Sequence, residues 1–340
     1  MMWQFHSEPL LAEQTWEGYY SRSFSKPIVN LMIACIPLTF LGFLRVSGPQ
    51  ARTLLQGQLT CQMDDLTPDV SRLGAQCNPQ GRIISFFRLF FWMDAFYLQM
   101  PLNLIPIAEA ALKKYAVFYK VEITDVSADM QSLALTGFKA EALLASLGLP
   151  APTITNAVMT TDSLSITKLP CDEPLYEILG ETTSIQNFQN KLSAQTQLQN
   201  ESAWHLLQMR TGIPMIYAET SQQFLPHELN LPLIEAVSFN KGCYTGQEII
   251  ARMHYRGIAK KSVGLGKATA STPPTRGADI YTLGNAIGTL VDYTEIEPQH
   301  YVVSILLDQR EPITTPIYLD QMETQPLHLS DPLPTGLKHV

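Results

Sequence analysis

The stretch Lys241-Gly242-Cys243-Tyr244-Thr245-Gly246-Gln247-Glu248 combines two glycines, one cysteine, one tyrosine and four other polar side chains in eight residues. A segment with helical character, Ile249 to Arg256, follows it directly, and Gly257 stands where a helix would end. The stretch is too polar for a core strand and too constrained for a linker. Its two glycines predict a backbone conformation that a side chain would forbid, or a close approach to another group.

Cys243 has two interpretations on sequence alone. It lies beside Lys241 and shortly before the predicted helix. If the loop folds back over the helix N-terminus, the free N–H groups and the ammonium both favour the thiolate, which is the reactive and metal-binding form. The alternative is a small buried apolar residue in a glycine-rich turn.

The segment Ser238 to Glu248 resembles the signature of the YgfZ proteins, which are folate-binding relatives of the aminomethyltransferase (T-protein) of glycine cleavage. Other stretches agree with that family in the same order along the chain: Leu55 to Thr60, Gly74 to Arg82, Phe87 to Phe90, Lys113 to Phe118 and Gly212 to Pro214. The resemblance covers residues 30 to 260, with weaker support beyond them.

The resemblance implies an α+β fold in which three domains form a GcvT/YgfZ-like cloverleaf around a central folate-binding hole, with a small C-terminal β-barrel. The implied domains are a discontinuous folate-binding domain (27–47 and 120–255), an inserted α+β domain (48–119), a barrel (256–320) and two tails (1–26 and 321–340).

The residue pattern supports parts of this arrangement independently. Asn78 to Gly81 predicts a hairpin turn between two strands, and Leu104 to Tyr115 predicts a helix that is followed by a strand from Val117 to Ile123. Together these elements indicate helices packed on an antiparallel sheet. From Lys260 onward, short apolar segments separated by Gly and Pro are typical of a small barrel or sandwich.

Composition limits the function classes. The 340 residues are 46% hydrophobic and 16% charged, which suits two or three domains. The net charge of −8 gives no global footprint for nucleic acid, so contact with RNA would need a local basic patch or a partner protein. Five cysteines without a C-x-x-C pair argue against a disulfide framework and a self-contained metal site, and favour a reducing, cytoplasmic setting.

Neither a signal peptide nor a membrane partner is predicted. The N-terminal region carries Glu8, Glu13 and Glu17 and has no basic n-region. Pro27 to Leu44 is an uncharged run of 18 residues, which is long enough for a membrane span only at the lower limit. Because Pro37 and other breakers interrupt the run, two buried strands around a turn explain it better.

The resemblance implies tetrahydrofolate or a derivative as cofactor. A folate site needs an apolar slot, polar groups at the pterin edge and a cation near the glutamyl tail. Trp204 matches a tryptophan implicated in folate binding in the family, although a core tryptophan anchoring its helix is an equal alternative. Leu41 stands where the family has a second such tryptophan. Arg210 replaces a glutamate that reads the pterin in aminomethyltransferases, and an arginine cannot accept hydrogen bonds.

The aminomethyltransferases also carry a paired aspartate, which corresponds here to Ser85-Phe86. Neither residue supplies a carboxylate for proton transfer, so aminomethyl transfer is disfavoured. The resemblance instead implies a folate-binding accessory protein for iron–sulfur enzymes, including tRNA methylthiotransferases, with Cys243 as the catalytic thiol. One cysteine cannot hold a cluster, so a partner would supply the other ligands. The alternatives are a folate-dependent one-carbon transferase and a non-catalytic folate sensor or scaffold.

The remaining candidates lie in or near the same motif. Glu248 and Arg252 are spaced to pair on one helix face. His227 and His254 flank the motif and are candidates to assist the thiol. Two basic clusters are predicted to be solvated faces: Lys113, Lys114 and Lys120, and Arg252, Arg256, Lys260 and Lys261. The second cluster lies beside the motif and has the alternative role of contacting an anionic ligand tail or RNA. Four further cysteines are predicted to be packing residues: Cys35, Cys61, Cys77 and Cys171.

Overall fold

The computed structural model describes residues 33–192, 194–256, 261–308 and 315–329. In these ranges the strands form three sheets, and six α-helices pack on or between them. The helices are α1 (Ala51–Gln58), α2 (Ile105–Ala116), α3 (Ala140–Ser146), α4 (Thr182–Leu192), α5 (Glu201–Arg210) and α6 (Gln247–Arg256).

The first sheet has six strands. In spatial order they are β11 (Thr196–Leu198), β1 (Ile33–Pro37), β7 (Met130–Thr136), β10 (Leu175–Glu181), β9 (Leu164–Leu169) and β8 (Val158–Thr160). Neighbours are antiparallel except for the parallel pair β1 and β11. Because side chains alternate along a strand, Leu133 and Leu135 contact α3 and α4 on one face, whereas Ala134 packs on the opposite face with Trp204 of α5.

The second sheet has five antiparallel strands. In spatial order they are β3 (Arg72–Cys77), β4 (Ile83–Trp92), β5 (Ala95–Pro101), β2 (Leu41–Ser47) and β6 (Glu122–Asp125). The predicted hairpin turn at residues 78–81 joins β3 and β4. The predicted strand from Val117 to Ile123 is instead a turn followed by the short strand β6.

Strand pairing bears on where the domains divide. β2 pairs with β5 and β6, and its Leu44 and Val46 share one core with Leu54 and Leu98 of the inserted segment. By sheet membership β2 therefore groups with the inserted segment. We propose that the boundaries between the discontinuous folate-binding domain and the inserted domain lie at residues 38–40 and 126–129, instead of at 47 and 120.

The third sheet is a closed barrel of six strands. In spatial order they are β12 (Lys261–Thr269), β15 (His300–Asp308), β14 (Asn285–Glu297), β13 (Asp279–Thr282), β16 (Ile317–Tyr318) and β17 (Pro326–Leu329). β17 pairs with β12, so the barrel extends past residue 320, where the sequence placed a tail. Pro326 opens the strand, a position that tolerates a residue without an N–H. The predicted α+β fold with a C-terminal small barrel is confirmed.

The apolar run that reached the length of a membrane span forms β1 and β2 in its described part, with a turn at residues 39–40. Across the described ranges, no helix is both long enough and apolar enough to cross a membrane.

Candidate functional site

A cavity lies where β2, β4, β5 and β10 meet α5. It has a volume of about 50 Å³ and is partly open to solvent. Two of the three predicted folate positions, Leu41 and Trp204, line it, although 163 residues separate them in the sequence. Its apolar wall is formed by Leu41, Phe86, Phe87, Met100, Trp204 and Met215.

The polar wall of the cavity centres on Glu177 of β10, which is 1% exposed. Its Oε1 accepts a hydrogen bond from Gln99 Nε2, which also donates to Ser132 Oγ at 2.9 Å. Its Oε2 is buried and has no hydrogen-bond partner among the described residues. A buried carboxylate oxygen without a donor is costly, so a ligand that brings an N–H group suits this position.

A second charge lies in the same wall. Arg88 of β4 is buried, and its Nη1 donates to Asn156 Oδ1 at 2.8 Å and Ser71 Oγ at 3.2 Å. Burial lowers the pKa of Arg88 to about 10, and the Glu177 carboxylate opposes that shift. Burial raises the pKa of Glu177, and the positive charge of the Arg88 guanidinium partly offsets this rise. The cavity lining therefore includes a buried acceptor, Glu177, and a buried cation, Arg88.

Arg210 and the Ser85-Phe86 pair, which the family resemblance also singled out, lie in different places relative to the cavity. Arg210 ends α5 half-buried and is not among the cavity-lining residues; it lies instead close enough to Glu173 to lower that carboxyl's pKa against the larger effect of burial. Phe86 lines the cavity, and Ser85 is fully buried beside it in sequence. An apolar ring and a buried hydroxyl thus occupy the position that the sequence resemblance aligned with a paired aspartate.

Glu177 was missed by the sequence analysis. The only signal for it is one carboxylate within the otherwise apolar strand from Leu175 to Leu179. Such an isolated acidic residue in a strand buried on both faces must find a partner inside the protein. The sequence alone does not say which partner.

The motif at 241–248 lies apart from the cavity lining and is anchored by Lys241. This side chain is buried, and its Nζ donates to Leu59 O at 2.5 Å and to Cys61 O at 2.8 Å. The ammonium also lies 4.9 Å from the ring centroid of Tyr244. One interpretation of the sequence had this ammonium favouring the Cys243 thiolate; in the structure Nζ is instead directed inward and fixes the motif to the end of α1.

Further contacts fix the second half of the motif. Thr245 N–H donates to Gly57 O at 3.2 Å, and Thr245 Oγ1 donates to Gln58 Oε1 at 3.2 Å. Gly246 has φ +86° and packs so tightly that a Cβ there would lie 2.6 Å from Asn78 O. The motif is therefore held between α1 and the β3–β4 turn.

Gly242 and Cys243 project from this anchored segment. Both are exposed, and a Cβ added to Gly242 would meet nothing within 4 Å. Cys35, Cys61 and Cys77 are buried and Cys171 is partly buried. Burial raises the pKa of Cys35 and of Cys61 to about 11, so these thiols stay protonated at neutral pH. Accessibility therefore singles out Cys243 for chemistry with a partner.

His227 and His254, the two histidines proposed to assist the thiol, form an aromatic cluster with Phe239. The His254 ring stacks on Phe239 with centroids 3.6 Å apart, and the His227 ring centroid lies 6.0 Å from that of Phe239. Within the described part of the chain, Glu248 and Arg252 form no ion pair, and no group of three or more His, Cys, Asp or Glu side chains is arranged to hold a metal.

Gly246→Ala is expected to lower the free energy of unfolding by about 2 kcal/mol or more, because it combines a left-handed backbone with a clash against backbone atoms. Urea denaturation measures this loss. Gly242→Ala, in the same motif, is the matched control and should stay within about 0.5 kcal/mol of the parent. Equal stability of the two variants would contradict the packing described for Gly246.

Because Lys241 is buried, we expect the stability of the protein to rise with pH as this side chain loses its proton. Burial lowers its pKa from 10.5 to about 8. Between these values the unfolded chain binds more protons at this site than the folded chain, so the free energy of unfolding rises with pH through this group. Lys241→Met should lose that rise, as measured by urea denaturation between about pH 7.5 and 9.

The two neighbouring titratable groups, Cys61 and Tyr244, do not produce a similar rise in the free energy of unfolding with pH. Burial raises the pKa of Cys61 to about 11 and moves that of Tyr244 further above its ordinary range, so both remain protonated in the folded protein. Their contributions are common to parent and variant and cancel in the difference. Parallel stability profiles for the two proteins would refute the assignment to Lys241.

The architecture matches that of a solved aminomethyltransferase. The glycine cleavage system aminomethyltransferase T from Bartonella henselae superposes with a TM-score of 0.69 at 18% identity, covering 94% of this chain and 88% of the other. The described fold is thus that of the aminomethyltransferases. No protein-family model matches the chain.

Curated relatives give a narrower assignment. The tRNA-modifying protein YgfZ of Colwellia psychrerythraea is 35% identical over 67% of this chain and 69% of its own length. The proteins of the same name from Klebsiella pneumoniae and Escherichia fergusonii are each 30% identical, over 81% and 90% of this chain and 86% and 95% of theirs. The chain belongs to the YgfZ family of tRNA-modifying proteins.

Proposed function

We propose that this protein is a folate-binding accessory protein that supports iron–sulfur enzymes, in cluster assembly or repair, including enzymes that modify tRNA. The observation that carries the folate assignment is the cavity, which Trp204 and Leu41 line together with Glu177, whose Oε2 has no hydrogen-bond partner among the described residues. The relatives' name, tRNA-modifying protein, supports the link to tRNA.

The residues present fit a pterin. The ring's 2-amino and N3–H groups are adjacent donors, and Glu177 Oε2 is an acceptor with no other partner in the described residues. Phe86, Phe87 and Trp204 supply the apolar slot for the flat ring. Glu177 would thereby provide the acceptor that is missing at Arg210. Tetrahydrofolate, when bound, carries one-carbon groups on the N5 nitrogen of its pterin ring, on the neighbouring N10 amine, or between the two.

Aminomethyl transfer ranks behind this function. The cavity presents Phe86 where the related transferases have a carboxylate. The carboxylate of Glu177 is already engaged with Gln99 and influenced by Arg88. A general base for the folate nitrogen would have to come from another residue, and Asp94 lies exposed in the β4–β5 turn, outside the cavity lining.

Cys243 is proposed as the key thiol because it is exposed on a segment that is otherwise anchored. A partner can reach an exposed thiol, and a cluster requires about four ligands, so the partner enzyme would contribute the others. This makes tRNA methylthiotransferases the expected partners and leaves the link to tRNA indirect. Free thiols throughout the chain are consistent with a reducing, cytoplasmic location.

The function is tested by complementation. The chain is expressed in a bacterial host that lacks its own family member, and methylthiolated adenosine in tRNA is quantified by mass spectrometry. Restoration of the modified base is expected. Failure to restore it, with the protein folded and present at normal level, would refute the iron–sulfur role. Calorimetry with tetrahydrofolate tests the cofactor separately, so the two parts of the proposal can fail independently.

A further inference from the structure

The turn after α2 presents two adjacent apolar side chains to solvent. Val117 is 76% exposed and Phe118 is 79% exposed. Single exposed apolar residues are ordinary, but two large neighbours exposed to this degree on one tip mark an interaction surface. Neither residue contributes to the cavity or to the motif at 241–248.

The backbone of this turn is fixed. Phe118 N–H donates to Tyr115 O at 3.2 Å, and Lys120 N–H donates to Gln50 Oε1 at 2.6 Å. Gly48 approaches so closely that a Cβ there would lie 2.6 Å from Lys120 O. Four flanking side chains pack inward against the core: Tyr115, Ala116, Tyr119 and Val121. The outward direction of Val117 and Phe118 is therefore built into the fold and is not a property of a loose loop.

Three lysines flank the two apolar residues in the sequence. Lys113 and Lys114 lie in the last turn of α2, and Lys120 follows the tip; all three are exposed. Residues 110–121 contain no Asp or Glu, although the chain as a whole has a net charge of −8. Lys113 pairs with Glu109 at 2.7 Å. We call Lys113, Lys114, Val117, Phe118 and Lys120 the basic knob.

We propose that the basic knob docks into an apolar pocket with an acidic rim on a partner protein. Apolar anchors at the centre with charges at the rim are the anatomy of a protein interface. A surface that stacks nucleic-acid bases uses aromatic faces in series, whereas Val117 has none. The proposal rests on the proposed function for the partner's identity, since the partner would be an enzyme that this protein supports.

Complementation tests the knob in cells. Phe118→Ser is expected to reduce methylthiolated adenosine in tRNA to about a tenth of the parent level, the loss typical of an interface anchor. Met322→Ser is the matched control, because Met322 is 83% exposed on the barrel, and it should rescue fully. Both variants should bind tetrahydrofolate and melt like the parent. Full rescue by Phe118→Ser would overturn the docking proposal.

A photo-crosslink tests contact without relying on activity. Benzophenone-alanine at position 118, but not at 322, is expected to capture a protein through an acidic segment identified by mass spectrometry, and Lys114→Glu should weaken that capture several-fold. Capture of RNA, capture of a second copy of this chain, or no capture would each overturn the proposal. If the parent chain fails to complement, the proposed function fails while this measurement still decides the docking surface.

Discussion

Cys243→Ala is expected to abolish the restoration of methylthiolated adenosine in tRNA while leaving the protein folded. The side chain is exposed, so its removal creates no cavity and costs little stability. Its loss removes the accessible thiol that we propose as the point of contact with an iron–sulfur partner. The modified base, quantified in the complemented host, should fall to the level of the empty vector.

Cys171→Ala is the matched control for this experiment. Cys171 is partly buried and lies outside both the cavity lining and the motif at 241–248. Its variant should restore the modified base to the parent level. Equal restoration by the Cys243 and Cys171 variants would reduce Cys243 to a surface residue and favour a folate sensor or scaffold. Cys243→Ser extends the test, because it keeps the size and polarity of the side chain and removes the thiolate chemistry.

Glu177→Gln is expected to weaken tetrahydrofolate binding by roughly 50-fold, the effect of losing a buried hydrogen bond to a charged acceptor. The glutamine oxygen can still accept from Gln99, so its amide N–H₂ then points where Oε2 stood. The glutamine N–H₂ group and the N–H groups of the pterin edge would then face each other as donors, with no acceptor between them. Calorimetric titration of parent and variant measures the change in dissociation constant.

Glu173→Gln is the control, because Glu173 is a partly buried carboxyl on the loop before β10 and does not line the cavity. Its folate affinity should match the parent's. Removing the Glu177 charge also leaves Arg88 buried without that carboxylate, so the melting temperature of Glu177→Gln is measured alongside. Unchanged affinity in a folded Glu177→Gln variant would mean that the pterin edge is read elsewhere or that the cavity holds another ligand.

Local sequence patterns predicted many of the elements that build the site. The turn at 78–81 between two strands and the helix from Leu104 were both expected from short-range signals, and both are present. The strand expected from Val117 is a turn because hydrogen bonds from Phe118 to Tyr115 and from Lys120 to Gln50 hold it. Tertiary contacts there override the β preference of its valines.

Sequence by itself determined the family, the α+β class, the start of the C-terminal barrel, and the positions Leu41 and Trp204 that meet in one cavity. The family and the two positions follow from the resemblance of sequence motifs, whereas the strands of the barrel follow from short-range patterns of apolar residues, Gly and Pro. Only the tertiary structure decided that the Lys241 ammonium donates hydrogen bonds to backbone carbonyls 182 and 180 residues away, and that Glu177 pairs with Gln99 across 78 residues. Which buried polar groups find partners depends on long-range packing, because desolvation and hydrogen bonding are set by neighbours distant in sequence.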